Sequence, residues 1–238
     1  MKSRHLITGL LLIFVLILAA CSAADNSDLI DLNPDNLKRL SPTLDPRLFK
    51  DTGTEAYAKF ISLLEENPKE VRDGDIIIVT INDWPLALSE LTCFAIQEEV
   101  MLEGSPFYED IYRNLMDGTL MLALAEEKNV LPTQEDLAQF GAKQKQDMLN
   151  ADQEDLTILE SAMEKLGISI DDYLTKFQPY TDYRNLAAQG LLPIFQEEVT
   201  YTEENKSEEE YWNEYISDFR SKADIKYITK IPELQYTY

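Results

Sequence analysis

Histidine is almost missing from this chain: its one copy, His5, sits five residues from the start. Cysteine is nearly as scarce, with two copies at Cys21 and Cys93, too few for a cysteine-rich zinc site. All eight glycines stand isolated, without G-x-G or G-K-S/T, so no phosphate cradle and no case for nucleotide binding arises. No D-x-D-x-D-G loop points to calcium. Basic residues number 21 against 44 acidic ones, a net charge of -23 with pI near 4.3, which repels nucleic-acid phosphates. With 45% hydrophobic and 10% aromatic residues, the chain nevertheless has the composition of a folding domain. Its length predicts one domain, or one plus an arm.

The one long apolar run lies at the N-terminus. Lys2 and Arg4 form a basic head, Leu6 to Leu18 is nearly unbroken hydrophobic sequence, and Leu18-Ala19-Ala20-Cys21 ends it in small residues. This pattern predicts an export signal over residues 1–20. The run is shorter than the ~20 residues that span a bilayer. The Leu-Ala-Ala-Cys tetrad resembles the lipobox of bacterial lipoproteins, which implies cleavage before Cys21 and a diacylglyceryl thioether on it. Two or more acyl chains hold a protein durably at a membrane, since each buried methylene contributes ~0.8 kcal/mol. Removal of residues 1–20 takes Lys2, Arg4 and no acid, so the net charge moves from -23 to -25. It also takes the only histidine, and with it the usual neutral-pH base and the Ser-His and Cys-His nucleophile pairs. Cys93 is then alone, in an apolar helical segment (Leu86 to Leu102) that predicts a buried, inert thiol.

Residues 21–51 are polar and broken by Pro34, Pro42 and Pro46, with scattered leucines from Leu29 to Leu44. They read as a partly ordered tether of reach on the order of 30 Å, leaving a body over residues 52–238. Anionic lipids would repel that acidic body. Thr54 caps a predicted helix over Glu55 to Glu66. Asp73-Gly74 marks a turn, and the β-branched run Asp75 to Ile81 predicts a buried strand, the one strong strand before the C-terminus. After Asn82-Asp83 the pattern is helical. Ser105-Pro106 predicts a helix start running through to Asn129, Thr133 caps another, and Leu156 to Leu166 forms a third that ends at Gly167. Ser169 caps a long aromatic helix, which Pro179 is expected to kink or split and Pro193 to disturb near its end. Ser207-Glu208-Glu209-Glu210 is a capping box for a last helix bearing Trp212, Tyr215, Ile216 and Phe219, followed by a short strand within Ala223 to Ile228.

The motifs in this order resemble a known family. Val79-Thr80-Ile81-Asn82-Asp83-Trp84-Pro85-Leu86 with Ser89-Glu90-Leu91 is similar to the "V-N-G-x-x-I-t-x-s-E" opening of the SurA and PrsA class of extracytoplasmic chaperones. The run Leu115 to Leu137 resembles that family's "L-I-d-x-x-L-L-x-x-x-A-k-k-x-g-i-x-v-t-d-e-E-v", and Leu166-Gly167-Ile168-Ser169-Ile170-Asp171-Asp172-Tyr173 its "G-x-s-x-e-e-y". Trp212 to Ile228 resembles the terminal helix and strand of PrsA-type chains. The resemblance covers residues 74–228. It implies a mainly α fold, a SurA/PrsA-like helical domain closed by a small two-stranded sheet that pairs Ile76 to Ile81 with Asp224 to Ile228. Asp83 stands where the family usually has glycine, and Ala87 where it often has threonine. The parvulin-type isomerase domain, roughly a hundred residues in such proteins, has no room in Glu197 to Ser207, and no prolyl isomerase activity is expected.

The resemblance and the anchor together imply a lipid-anchored, ATP-independent chaperone or assembly factor on the extracytoplasmic face of a bacterial membrane, without enzymatic activity, cofactor or metal. Its implied partners are unfolded or partly folded exported polypeptides and, through Cys21, the membrane; nucleic acid and nucleotide are not expected. Ser22 does not resemble the aspartate retention signal of two-membrane cells, so in such a cell sorting to the outer membrane as well as the inner is allowed. Such a holder needs a shallow apolar surface and a charged exterior. The residues that would supply the surface are Tyr173, Phe177, Tyr180 and Tyr183, with Trp84; alternatively they are core, since stripes at helical spacing face inward. A second reading is a noncatalytic adaptor on the same scaffold that binds one envelope partner. The acid runs Glu98-Glu99, Asp171-Asp172 and Glu208 to Glu210 point apart on their helices and read as solvated faces.

Overall fold

The computed structural model describes residues 44–72, 74–151, 153–200 and 206–229. The export signal, Cys21 and the tether up to residue 43 lie outside the described residues. The last residues assigned to the tether belong to the body. Leu44 and Phe49 are each 1% exposed, and a 3-10 helix, Pro46–Thr52, packs against three helices of the core. Asp45 starts it by accepting the Arg47 N–H at 3.0 Å, and Gly53 ends it at φ +67°. Charged neighbours (Asp45, Arg47, Lys50 and Asp51) hide these two apolar side chains in the sequence pattern.

Helix α1, Glu55–Glu66, starts at Thr54 as expected and buries Ala56, Phe60 and Leu63. Its first turn is capped twice, because the Glu99 carboxylate accepts the Glu55 and Ala56 N–H groups at 2.7 and 2.9 Å. Strands β1 (Val71–Arg72), β2 (Asp75–Ile81) and β3 (Trp84–Ala87) follow. Strand β3 corrects the expectation of a helix directly after Asn82-Asp83. Both turn residues hold positive φ, at 48° and 67°, which Asn and Asp tolerate; they make the two-residue turn of a hairpin with Ile81 opposite Trp84. Pro85 cannot donate to a ladder and lies in β3, which pairs with β2.

Helix α2, Leu88–Leu102, is the central post, buried at Leu88, Leu91, Cys93, Ala95 and Ile96. Helix α3 spans Tyr108–Glu127, later than the Ser105-Pro106 signal predicted, because the Glu98 carboxylate accepts the Phe107 N–H at 2.9 Å and fixes the start there. The expected end at Asn129 is also shortened to Glu127. Helix α4, Gln134–Asn150, carries the Thr133–Asp136 capping box, and α5, Gln153–Leu166, stops at Gly167 with φ +67°. Beyond Ser169, a single helical turn α6 (Ile170–Asp172), a π-helical turn (Tyr173–Phe177) and helix α7 (Gln178–Glu198) form one aromatic rod. Pro179, at the head of α7, has no N–H to give and crowds the carbonyl four residues back; the widened π turn takes up that conflict. Pro193 does not end the helix. Phe195 beyond it is 1% exposed and meets the Trp212 and Tyr215 rings at 5.0 and 5.6 Å, so packing holds the last turn.

Helix α8, Glu208–Lys222, begins at the predicted Ser207 capping box, and β4, Ile225–Tyr227, runs antiparallel to β2 with Ile81 opposite Ile225 and Val79 opposite Tyr227. The fold is mainly helical, and the pairing of the first long strand with the last is as expected. The sheet is larger than the two strands expected: β2 lies at its centre, with β3 on one side and β1 and β4 as its other partners. Ile76, Val79 and Ile81 of β2 are fully buried.

Where α7 crosses the end of α3, Gly190 permits the approach. A Cβ there would stand 2.9 Å from the backbone oxygen of Val130. Gly190→Ala is expected to cost about 1–3 kcal/mol through the forced shift of that crossing, read as a lowered urea midpoint at unchanged slope.

Candidate functional site

The densest polar chemistry in the body lies inside it, where α2, α3 and α7 meet. Glu90, at the third position of α2, is wholly buried. Its Oε2 accepts the Ala87 N–H at 2.5 Å and so caps its own helix. Its Oε1 accepts Arg184 Nη2 at 2.9 Å and the Tyr180 hydroxyl, both from α7. Arg184 reaches α3 through Nη1, donating to Thr119 Oγ1 at 3.1 Å and the Leu115 carbonyl at 3.4 Å, while its guanidinium lies 4.6 Å from the centre of the Tyr180 ring. Gly118 makes space for it, since a Cβ there would be 2.9 Å from Arg184 Nη1. Burial pushes the Glu90 carboxyl up, and Arg184, Tyr180 and the Ala87 amide draw it back. Burial likewise holds the Tyr180 phenol well above its ordinary value.

Asp75 lies nearby at the start of β2, 3% exposed, accepting the Ile76 and Ser89 N–H groups at 2.8 and 3.1 Å. Its carboxyl is raised by burial against the pull of these donors and Arg47. Cys93 is fully buried, and burial, followed by the charges of Asp45, Asp75 and Glu90, pushes its thiol well up. A fully enclosed carboxylate held by a guanidinium, a phenol and a backbone amide is arranged to join helices, and no solute reaches Glu90 in this conformation. Sequence reasoning missed this pair: Glu90 shares the apolar stretch Leu86 to Leu102 with Glu98 and Glu99, and the signal that sets it apart is its place one turn into the helix, among Leu86, Leu88 and Leu91.

The five aromatic residues expected at a client surface are placed as follows. Trp84 is 3% exposed and its indole N–H donates to Glu126 at 2.8 Å. Phe177 is buried, stacked on Tyr173 at 5.5 Å and edge-on to Phe94 at 5.5 Å and Phe49 at 6.3 Å. Tyr183 is buried, and Tyr173 and Tyr180 are half-buried against the core. Phe177, Tyr173 and Tyr180 thus share one inward aromatic cluster with Phe94 and Phe49. Among the described residues, the large apolar side chains most open to solvent are elsewhere: Phe107 before α3, Ile158 on α5, Leu192 on α7, Tyr227 at the end of β4 and Ile228 just beyond it.

Among the described residues, no group of three or more Asp, Glu, Cys or His side chains is placed to hold a metal ion, and no helix is long and apolar enough to cross a membrane. No family model, curated protein or solved structure matches the chain.

Proposed function

We propose that this chain is a lipid-anchored, extracytoplasmic, ATP-independent chaperone or assembly factor built on a SurA/PrsA-like helical scaffold without an isomerase domain. The observation that carries the reading is the closure of β2 by β4, with Val79 opposite Tyr227: the first long strand and the last seal one helical body, as the motif resemblance implies. Residues 199–207 connect α7 to α8, at the place where the larger family members carry their inserted enzyme. The lipobox-like tetrad supplies the address through Cys21, and the net charge of -25 that remains once residues 1–20 are removed, -23 less the two charges of Lys2 and Arg4, keeps a complex with an unfolded chain soluble.

Burial of Trp84, Phe177 and Tyr183 favours a second reading, a noncatalytic adaptor that binds one dedicated envelope protein, because a broad aromatic cradle is closed in this conformation. Cross-linking in cells separates the two. A holder captures many unrelated exported chains, and capture rises when their folding is impaired. An adaptor captures one protein at fixed stoichiometry. Mass spectrometry of the membrane-extracted protein tests the anchor: a mature chain that begins at a diacylglyceryl-modified Cys21 is expected, and an unmodified residue 21 contradicts the address.

A further inference from the structure

Helix α4 is held to the body more lightly than its length suggests. It packs chiefly against α7, and Leu137, near its start, is its one described side chain that is buried. Midway along, Gly141 faces open space, with nothing within 4 Å of where a Cβ would stand. The polar fastening farther along α4 is Gln144, whose amide donates to Asp182 Oδ1 of α7 at 2.8 Å; Gln178 of α7 donates to the same oxygen at 2.8 Å. Asp182 is 3% exposed, so this joint buries a carboxyl whose partners are two neutral amides.

We propose that α4 is a hinged arm latched onto α7 at Asp182, and that ionisation of Asp182 loosens the latch, so that the arm swings away from α7 more readily at neutral pH than in acid. A neutral carboxylic acid is buried at modest cost, whereas an ionised one without a cation beside it costs much more. Undocking α4 returns the carboxylate to water and removes that penalty. Burial pushes this carboxyl up from 3.8 to about 6, against the opposing pull of Gln178 and Gln144. The docked form binds the proton more tightly than a freed carboxyl does. Docking is therefore strongest below 3.8, weakens as pH rises to about 6, and is level above that. Two other titratable groups bear on the joint. Tyr173, on the π turn, is raised by burial and by the Asp182 charge, and it is neutral throughout this pH range. Asp147, one turn beyond Gln144 on α4, has its Oδ2 buried without a hydrogen-bond partner. The inference stands apart from the chaperone reading, since it concerns only the α4–α7 joint.

Amide hydrogen exchange on the full chain, corrected for intrinsic rates at each pH, tests it. Between pH 4 and pH 7 the opening equilibrium of α4 amides is expected to rise roughly 10- to 50-fold, the upper figure applying if undocking fully restores the ordinary carboxyl. Amides of α3 serve as the reference and are expected to hold steady. Asp182→Asn keeps the acceptor for both glutamines and removes the charge; it is expected to keep α4 protected and insensitive to pH. Asp147→Asn is expected to retain the wild-type response. The proposal is overturned if α4 protection is unchanged across that range, if the response survives in Asp182→Asn, if it vanishes in Asp147→Asn, or if α3 opens in step with α4.

Discussion

Arg184→Met is expected to lower the unfolding free energy by about 3–5 kcal/mol, a large share of a domain's usual margin. The substitution keeps the length of the side chain and much of its packing while removing the guanidinium. It leaves Glu90, fully buried, with its hydrogen bonds to Tyr180 and Ala87 but without a cation. The double variant Glu90→Gln/Arg184→Met should recover much of the loss, because the amide oxygen can accept the Ala87 N–H while its NH2 donates to the Tyr180 hydroxyl oxygen, and no unpaired buried charge is left. Urea unfolding of the two single variants and the double variant measures this directly. A loss in Arg184→Met below about 1 kcal/mol would mean that the Glu90 carboxyl is already neutral in the folded protein.

The second large effect concerns where the body begins. A fragment starting at Asp51 discards Leu44 and Phe49, each 1% exposed, and with them the 3-10 helix that packs on three helices. Truncating one buried leucine costs about 2–5 kcal/mol and one buried phenylalanine about 3–5 kcal/mol, so the combined loss approaches the whole stability of a domain. The Asp51 fragment is expected to be unfolded or to melt far below a fragment that starts at Leu44. Circular dichroism melts of the two settle the point, and equal melting temperatures would show that this segment is dispensable.

Elements carried by local chemistry were legible in the sequence. Thr54, Thr133, Ser169 and Ser207 each cap a helix where predicted, because a side-chain oxygen placed before an amphipathic run satisfies amides that the helix itself leaves unpaired. The strand Asp75 to Ile81 announced itself by dense β-branching, and its closure by the last strand came from the family resemblance. What escaped depended on partners distant in sequence. The start of α3 is set by Glu98 across a loop, β3 needed a hairpin turn made without glycine, and Leu44 and Phe49 gain their role only from the helices they meet. Pro193 misled because propensity opposes a helix there while Phe195, two residues on, is anchored by Trp212 and Tyr215. At the candidate site, aromatic residues at helical spacing marked α7 correctly but could not say which side they face. The fold turns Phe177 and Tyr183 inward, and it joins Glu90 to Arg184 across 94 residues of sequence.

Aggregation suppression by the purified fragment beginning at Leu44 tests the proposed folding-helper role of the body. Light scattering would follow a chemically unfolded, unrelated protein diluted into buffer without nucleotide. At several-fold molar excess of the fragment, a markedly lower scattering plateau is predicted. An unchanged plateau, with the fragment shown to be folded under the same conditions, would contradict the claim.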